Sequence, residues 1–181
     1  TPQFKGSLIA LEKLCRELGC PVVLKETGCG MSEATLKRVA QIGLAAVDVS
    51  GLGGTHWGRI EGARAESGSL SSLAAETFAQ WGISTVESVR QAQSALSDVS
   101  SPTEIWGSGG VRSGLDAAKL IALGASQVGY AQPVLKAALK GPELLNEWMK
   151  LQEYELRVAL FCTGVASAKD LRGRRDLWIQ N

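Results

Sequence analysis

Histidine is almost missing from this chain: His56 is the only one in 181 residues, and the four cysteines, Cys15, Cys20, Cys29 and Cys162, form no C-x-x-C pair. A zinc site needs such residues at short spacing, so none is expected. So few cysteines in a chain of ordinary hydrophobicity match a reducing cytoplasm rather than a disulfide framework. No apolar run approaches the roughly 20 residues that cross a bilayer, and nothing at Thr1 resembles a signal peptide. Excess charge is lacking too, with 19 Lys and Arg against 18 Asp and Glu. No basic patch is threaded with aromatics, so neither a membrane nor a nucleic acid is implied as partner. The densest basic run, Arg172-Gly173-Arg174-Arg175, reads as a solvated tail. An initiating Met is also absent, and the abrupt start at Thr1 implies a natural start upstream.

Glycine, by contrast, is plentiful at 21 residues, and much of it follows short apolar runs. Leu8, Leu11, Cys15 and Leu18 recur at helical spacing, and Gly19 supplies a stop. Pro21 to Lys25 then reads as a buried strand, continuous rather than alternating, as in a parallel sheet covered on both faces. Ser32 suits the N-cap of a helix through Leu36 and Val39. The unit repeats: Ala45 to Val49 is a second strand, ending in Ser50-Gly51-Leu52-Gly53-Gly54-Thr55. Trp57 to Gly68 is too irregular for an element and reads as a mobile loop over the strand ends. A helix resumes at Leu70 and runs to Trp81, and Thr85 is placed to cap another holding Val89, Ala92 and Leu96.

The third strand, Glu104 to Gly107, leads into Ser108-Gly109-Gly110-Val111-Arg112 and a helix through Ala117, Leu120 and Ile121. A strand that ends in glycines and opens a helix leaves main-chain N–H groups unpaired with the helix dipole behind them, which is a phosphate-sized anion site. A fourth strand, Gln127 to Tyr130, ends in Ala131-Gln132-Pro133. A helix from Val134, the longest helix from Pro142 to about Phe161, and a short helix with a tail complete the chain. Four β-then-α units argue for a parallel α/β sheet, with the ligand edge at the C-terminal ends of the strands. The pattern alone leaves open a doubly wound sheet or half of an eight-stranded barrel.

Read together, the four strand ends Val23-Leu24-Lys25-Glu26-Thr27-Gly28, Asp48-Val49-Ser50-Gly51-Leu52-Gly53-Gly54-Thr55-His56-Trp57, Gly107-Ser108-Gly109-Gly110-Val111-Arg112-Ser113-Gly114, and Leu123-Gly124-Ala125 with Gly129-Tyr130-Ala131 resemble the C-terminal half of the type 2 isopentenyl-diphosphate Δ-isomerases. These are flavin-dependent enzymes of isoprenoid synthesis, and the likeness runs from about Gly6 to the tail. It implies a TIM (β/α)8 barrel, of which this chain supplies about four βα units, strands five to eight. Residues 1–181 would then be the C-terminal part of one FMN-binding domain, a fragment that does not turn over alone. Strands one to four have no counterpart here, nor do that family's N-terminal Arg-Lys pair, its His, or the Gln-Glu pair for substrate and Mg²⁺.

The resemblance implies an interconversion of isopentenyl and dimethylallyl diphosphate by a 1,3-allylic proton shift. Reduced FMN serves in that shift, NADPH keeps it reduced, and Mg²⁺ assists the diphosphate. It also implies a cytoplasmic homo-oligomer, a tetramer or octamer at full length. Lys25 would bond the flavin ring, Ser50 and Thr55 would contact FMN through hydroxyls, and Gly109, Gly110, Val111 and Arg112 would bind its phosphate, with Ala131 and Gln132 adding donors. Trp57 would stand near the substrate, and His56 takes a structural role. The resemblance assigns no catalytic side chain and no metal ligand to this stretch. Two other readings remain open: an oxidoreductase of a sister FMN barrel, which would use the same lysine and glycines, and a non-catalytic half-barrel that binds a phosphorylated ligand or pairs with itself through its sheet edges.

Overall fold

Helix α1 (Ser7–Glu17) leads into strand β1 (Val23–Lys25), and α2 (Glu33–Val39) returns the chain to β2 (Ala46–Asp48). The next crossover holds three helices, α3 (Trp57–Arg64), α4 (Leu70–Thr77) and α5 (Thr85–Asp98), before β3 (Glu104–Gly107). Then come α6 (Gly114–Ala122), β4 (Gln127–Val128), α7 (Gln132–Ala138), α8 (Pro142–Cys162) and α9 (Ala168–Leu171). The computed structural model describes residues 4–178; Thr1, on which the expectation of an upstream start rests, lies outside them.

The four strands are all parallel and lie in chain order, β1-β2-β3-β4. A doubly wound sheet reverses its strand order at a switch point. A sheet in which each new strand joins the last without reversal follows the wall of a barrel, so this is a run of βα units of the TIM-barrel type.

Register decides which side chains share a face, because successive residues alternate. Leu24, Val47 and Ile105 lie in register, and their face meets the helices. Val47, Val49, Leu36, Val89, Ala92 and Ala95 there are almost wholly shielded from water. Lys25, Asp48, Trp106 and Gln127 form the neighbouring layer and so point to the opposite face. That face is polar, which departs from the expectation of strands apolar on both sides. At its lower end the Trp106 indole N–H and the Ser126 hydroxyl donate to Glu104 and hold its carboxyl below the usual range.

Two local expectations are corrected. Trp57 to Gly68 is not a loop throughout, since α3 occupies most of it. No residue of α3 is buried, so it carries no apolar stripe for periodicity to detect. Its support is the His56 cap and its packing on α4, where Gly62 meets the Ala75 side chain so closely that a Cβ has no room. The cap of α5 is Ser84, whose hydroxyl accepts from Glu87 N–H, and not Thr85, which is turned to another task.

Candidate functional site

Lys25, Asp48 and Ser108 close the C-terminal ends of three adjacent strands and bond to one another. The Lys25 ammonium donates to Asp48 Oδ2 at 2.7 Å and to Ser108 Oγ at 3.0 Å. Ser108 Oγ in turn donates to Asp48 Oδ1 at 2.7 Å, which also accepts the Ser50 N–H at 3.2 Å. Asp48 is buried and its acceptors are engaged, whereas the Lys25 side chain is 56% exposed. An ammonium has three donors. Two are used, and the third has no acceptor among the described residues.

The loops above these strands are stitched edge to edge. Gly30 N–H reaches Ser50 O, Gly51 N–H reaches Ser108 O at 3.0 Å, and Leu52 N–H reaches Ile83 O at 2.8 Å. Thr85 Oγ1 donates to Gly109 O at 2.6 Å and lies against Gly51. The glycines are required by this stacking: a Cβ on Gly109 would strike the Gly51 carbonyl, and one on Gly110 would strike that of Gly53. Sequence suggested that they admit an anion. In the structure they first admit the neighbouring loop.

Gly110 and Val111 present N–H groups that donate to no acceptor among the described residues. Part of the α6 entrance is already capped. Arg112 N–H donates to Asp116 Oδ2, Asp116 N–H to Ser113 Oγ, and Gly114 N–H to Glu155 Oε2 from α8. The open helix N-terminus expected from sequence is therefore narrower, with Gly110 and Val111 among its free donors, and the exposed Arg112 guanidinium makes no ion pair among the described residues. Tyr130 hydroxyl donates to Ser113 O, and Gly129 lies against Ser108, which brings the β4 loop with Ala131 and Gln132 alongside.

On the β1 side, Glu26 Oε2 gathers the N–H groups of Gly28, Cys29 and Gly30 and so fixes the turn. Burial, and then the Glu26 charge, push the Cys29 thiol up, which disfavours its thiolate form. Thr55 lies over this turn, its carbonyl against Gly28, and a cleft of about 650 Å³ opens beside Lys25, Glu26, Cys29, Met31 and Trp81. His56 is buried; its Nδ1 accepts from Arg59 N–H, which leaves Nε2 to donate to Trp81 O at 3.1 Å. Trp57 begins α3 and is half exposed.

The structure thus brings Lys25, Ser50, Thr55 and the Gly109-Gly110 turn to one edge. Asp48, Ser108, Glu26 and Thr85 were missed, although Lys25 and Asp48 each close a strand, a signal that a charged residue after an apolar run always offers. Among the described residues no group of three or more His, Cys, Asp or Glu is placed to hold a metal ion.

The donor set does fit a flavin mononucleotide: an ammonium with one donor to spare, and unpaired main-chain N–H groups at Gly110 and Val111, beside glycines that have no room for a Cβ. A run of parallel βα units in chain order, with its polar strand-end residues gathered at one edge, is the class of TIM-barrel segments. The chain belongs to the FMN-dependent dehydrogenase family, whose model matches residues 3–178. Among curated relatives it is 53% identical over 172 residues to an isopentenyl-diphosphate delta-isomerase of Legionella pneumophila (strain Corby), covering 95% of this chain and 49% of that protein. It is 50% identical over 175 residues to one of Bdellovibrio bacteriovorus, covering 97% and 49%. The chain spans about half the length of the curated relatives it matches. Among solved structures, a flavocytochrome b2 mutant with benzoylformate superposes at a TM-score of 0.69 and 17% identity, over 97% of this chain and 41% of that one. A mandelate oxidase mutant with (S)-mandelic acid gives 0.67 and 26%, over 92% and 42%.

Proposed function

We propose that residues 1–181 are the C-terminal part of one FMN-binding barrel domain, and that the whole protein interconverts isopentenyl and dimethylallyl diphosphate. The observation that carries this reading is the union of the Lys25–Asp48–Ser108 cluster with the glycine turn at Gly109-Gly110 on one sheet edge, in a chain half of whose residues match isomerases so named.

In this reading Lys25 offers its spare donor to the flavin ring and sets a positive charge beside it. Ser50 and Thr55 add hydroxyl contacts, and neither hydroxyl is engaged among the described residues. Gly110 and Val111 bind the phosphate through the main chain, with Gly109 and Arg112 shaping that turn and Ala131 and Gln132 closing it. Trp57 borders the substrate. Bound FMN in its reduced form supplies the proton-transfer chemistry that an unactivated alkene needs. The protein's part is to hold it against fixed charges. NADPH as reductant, Mg²⁺ on the diphosphate, a cytoplasmic setting and a homo-oligomer, tetramer or octamer, belong to the same proposal for the whole protein. No helix of the described residues is long and apolar enough to cross a membrane.

The test incubates the whole protein with isopentenyl diphosphate, FMN, Mg²⁺ and NADPH. Dimethylallyl diphosphate is the expected product, and its absence with FMN bound overturns the assignment. The likeness in fold to mandelate oxidase supports one competing reading, an FMN-dependent oxidoreductase. Anaerobic bleaching of bound FMN by a 2-hydroxy acid, without isomerisation, would select it.

A further inference from the structure

We propose that Asp48 is the positioning residue of this site: it holds the Lys25 ammonium in the orientation that a flavin meets, without touching the ligand itself. The inference rests on the reading that this edge holds FMN. Asp48 is the hub of a closed ring, with Lys25 on Oδ2 and Ser108 and the Ser50 N–H on Oδ1. Its side chain is 11% exposed against 56% for Lys25, so the carboxylate is the more shielded partner of the pair.

A lysine on a flexible four-carbon stem would lose its rotamer freedom when a ligand fixed it. Here that ordering precedes binding, because Asp48 and Ser108 set both the direction of the ammonium and which of its donors is left over. Asp48 is itself held by β2, by register with Lys25 and Trp106, and by the Ser50 N–H, whose residue has a left-handed φ of 35°.

The experiment measures FMN affinity of the whole protein by fluorescence titration for the wild type, Asp48→Asn, Lys25→Met and the double variant, after thermal melts confirm that each is folded. Asp48→Asn is expected to weaken FMN about tenfold when Lys25 is present and not at all in the Lys25→Met background. Equal weakening in both backgrounds overturns the proposal, since the carboxylate would then act on the fold and not through the lysine. If Lys25→Met binds FMN as tightly as the wild type, the flavin reading of this edge fails and the proposal with it. If Asp48→Asn does not fold, Ser108→Ala keeps both charges and removes one anchor of the ammonium. A loss of a few fold that vanishes with Lys25→Met supports the proposal, and a loss unaffected by Lys25→Met overturns it.

Discussion

Replacing Gly110 by Ala sets two loops against each other, and Gly68 provides the matched control. Gly110 has a φ of 80° and Gly68 one of 79°, so alanine meets nearly the same backbone penalty at each, roughly 1 kcal/mol. Around Gly68 nothing lies within 4 Å of the added Cβ, whereas at Gly110 it falls on the Gly53 carbonyl, a main-chain atom with no rotamer to yield. The Gly51–Gly54 loop must then withdraw. It would forfeit the bond of Gly51 N–H to Ser108 O and disturb that of Thr85 to Gly109 O, each worth about 1 kcal/mol. Gly110→Ala is therefore expected to lower stability by about 3 kcal/mol and Gly68→Ala by about 1 kcal/mol. Urea midpoints at unchanged slope measure both, with FMN titration of the whole protein as a second readout. Equal losses at the two positions would refute the view that loop contact, rather than backbone conformation, fixes this glycine.

Two further outcomes follow from named bonds. His56→Ala removes the cap of α3 and the partner of Trp81 O, which is expected to cost about 1–2 kcal/mol and to speed amide exchange in α3 and α4 while α5 stays protected; unchanged exchange in α3 would contradict it. Burial first, then the charges of Asp116 and Glu155, raises the Tyr130 phenol above its ordinary value of about 10. The folded chain keeps that proton to higher pH than the unfolded one, so the stability it gives is whole below about pH 10 and is lost as pH climbs through the raised value. Tyr130→Phe should flatten the alkaline decline in urea stability, and parallel declines would show that another group causes it.

Sequence by itself determined most of the order of elements and the end of the sheet to which the strand-end residues come. Ser32 caps the helix that its neighbours spell, Glu104–Gly107 is a strand, and the residues after each strand gather at one end, because capping and apolar runs are local chemistry. It did not show α3, which buries nothing and is held by a histidine and a neighbouring helix, nor that Thr85 serves the Gly109 carbonyl instead of a cap. Only the tertiary structure decided that the strands lie in chain order, which excludes a doubly wound sheet. It also decided that residues 25, 48 and 108 meet, since strand register and not spacing along the chain brings an ammonium, a carboxylate and a hydroxyl within hydrogen-bond reach.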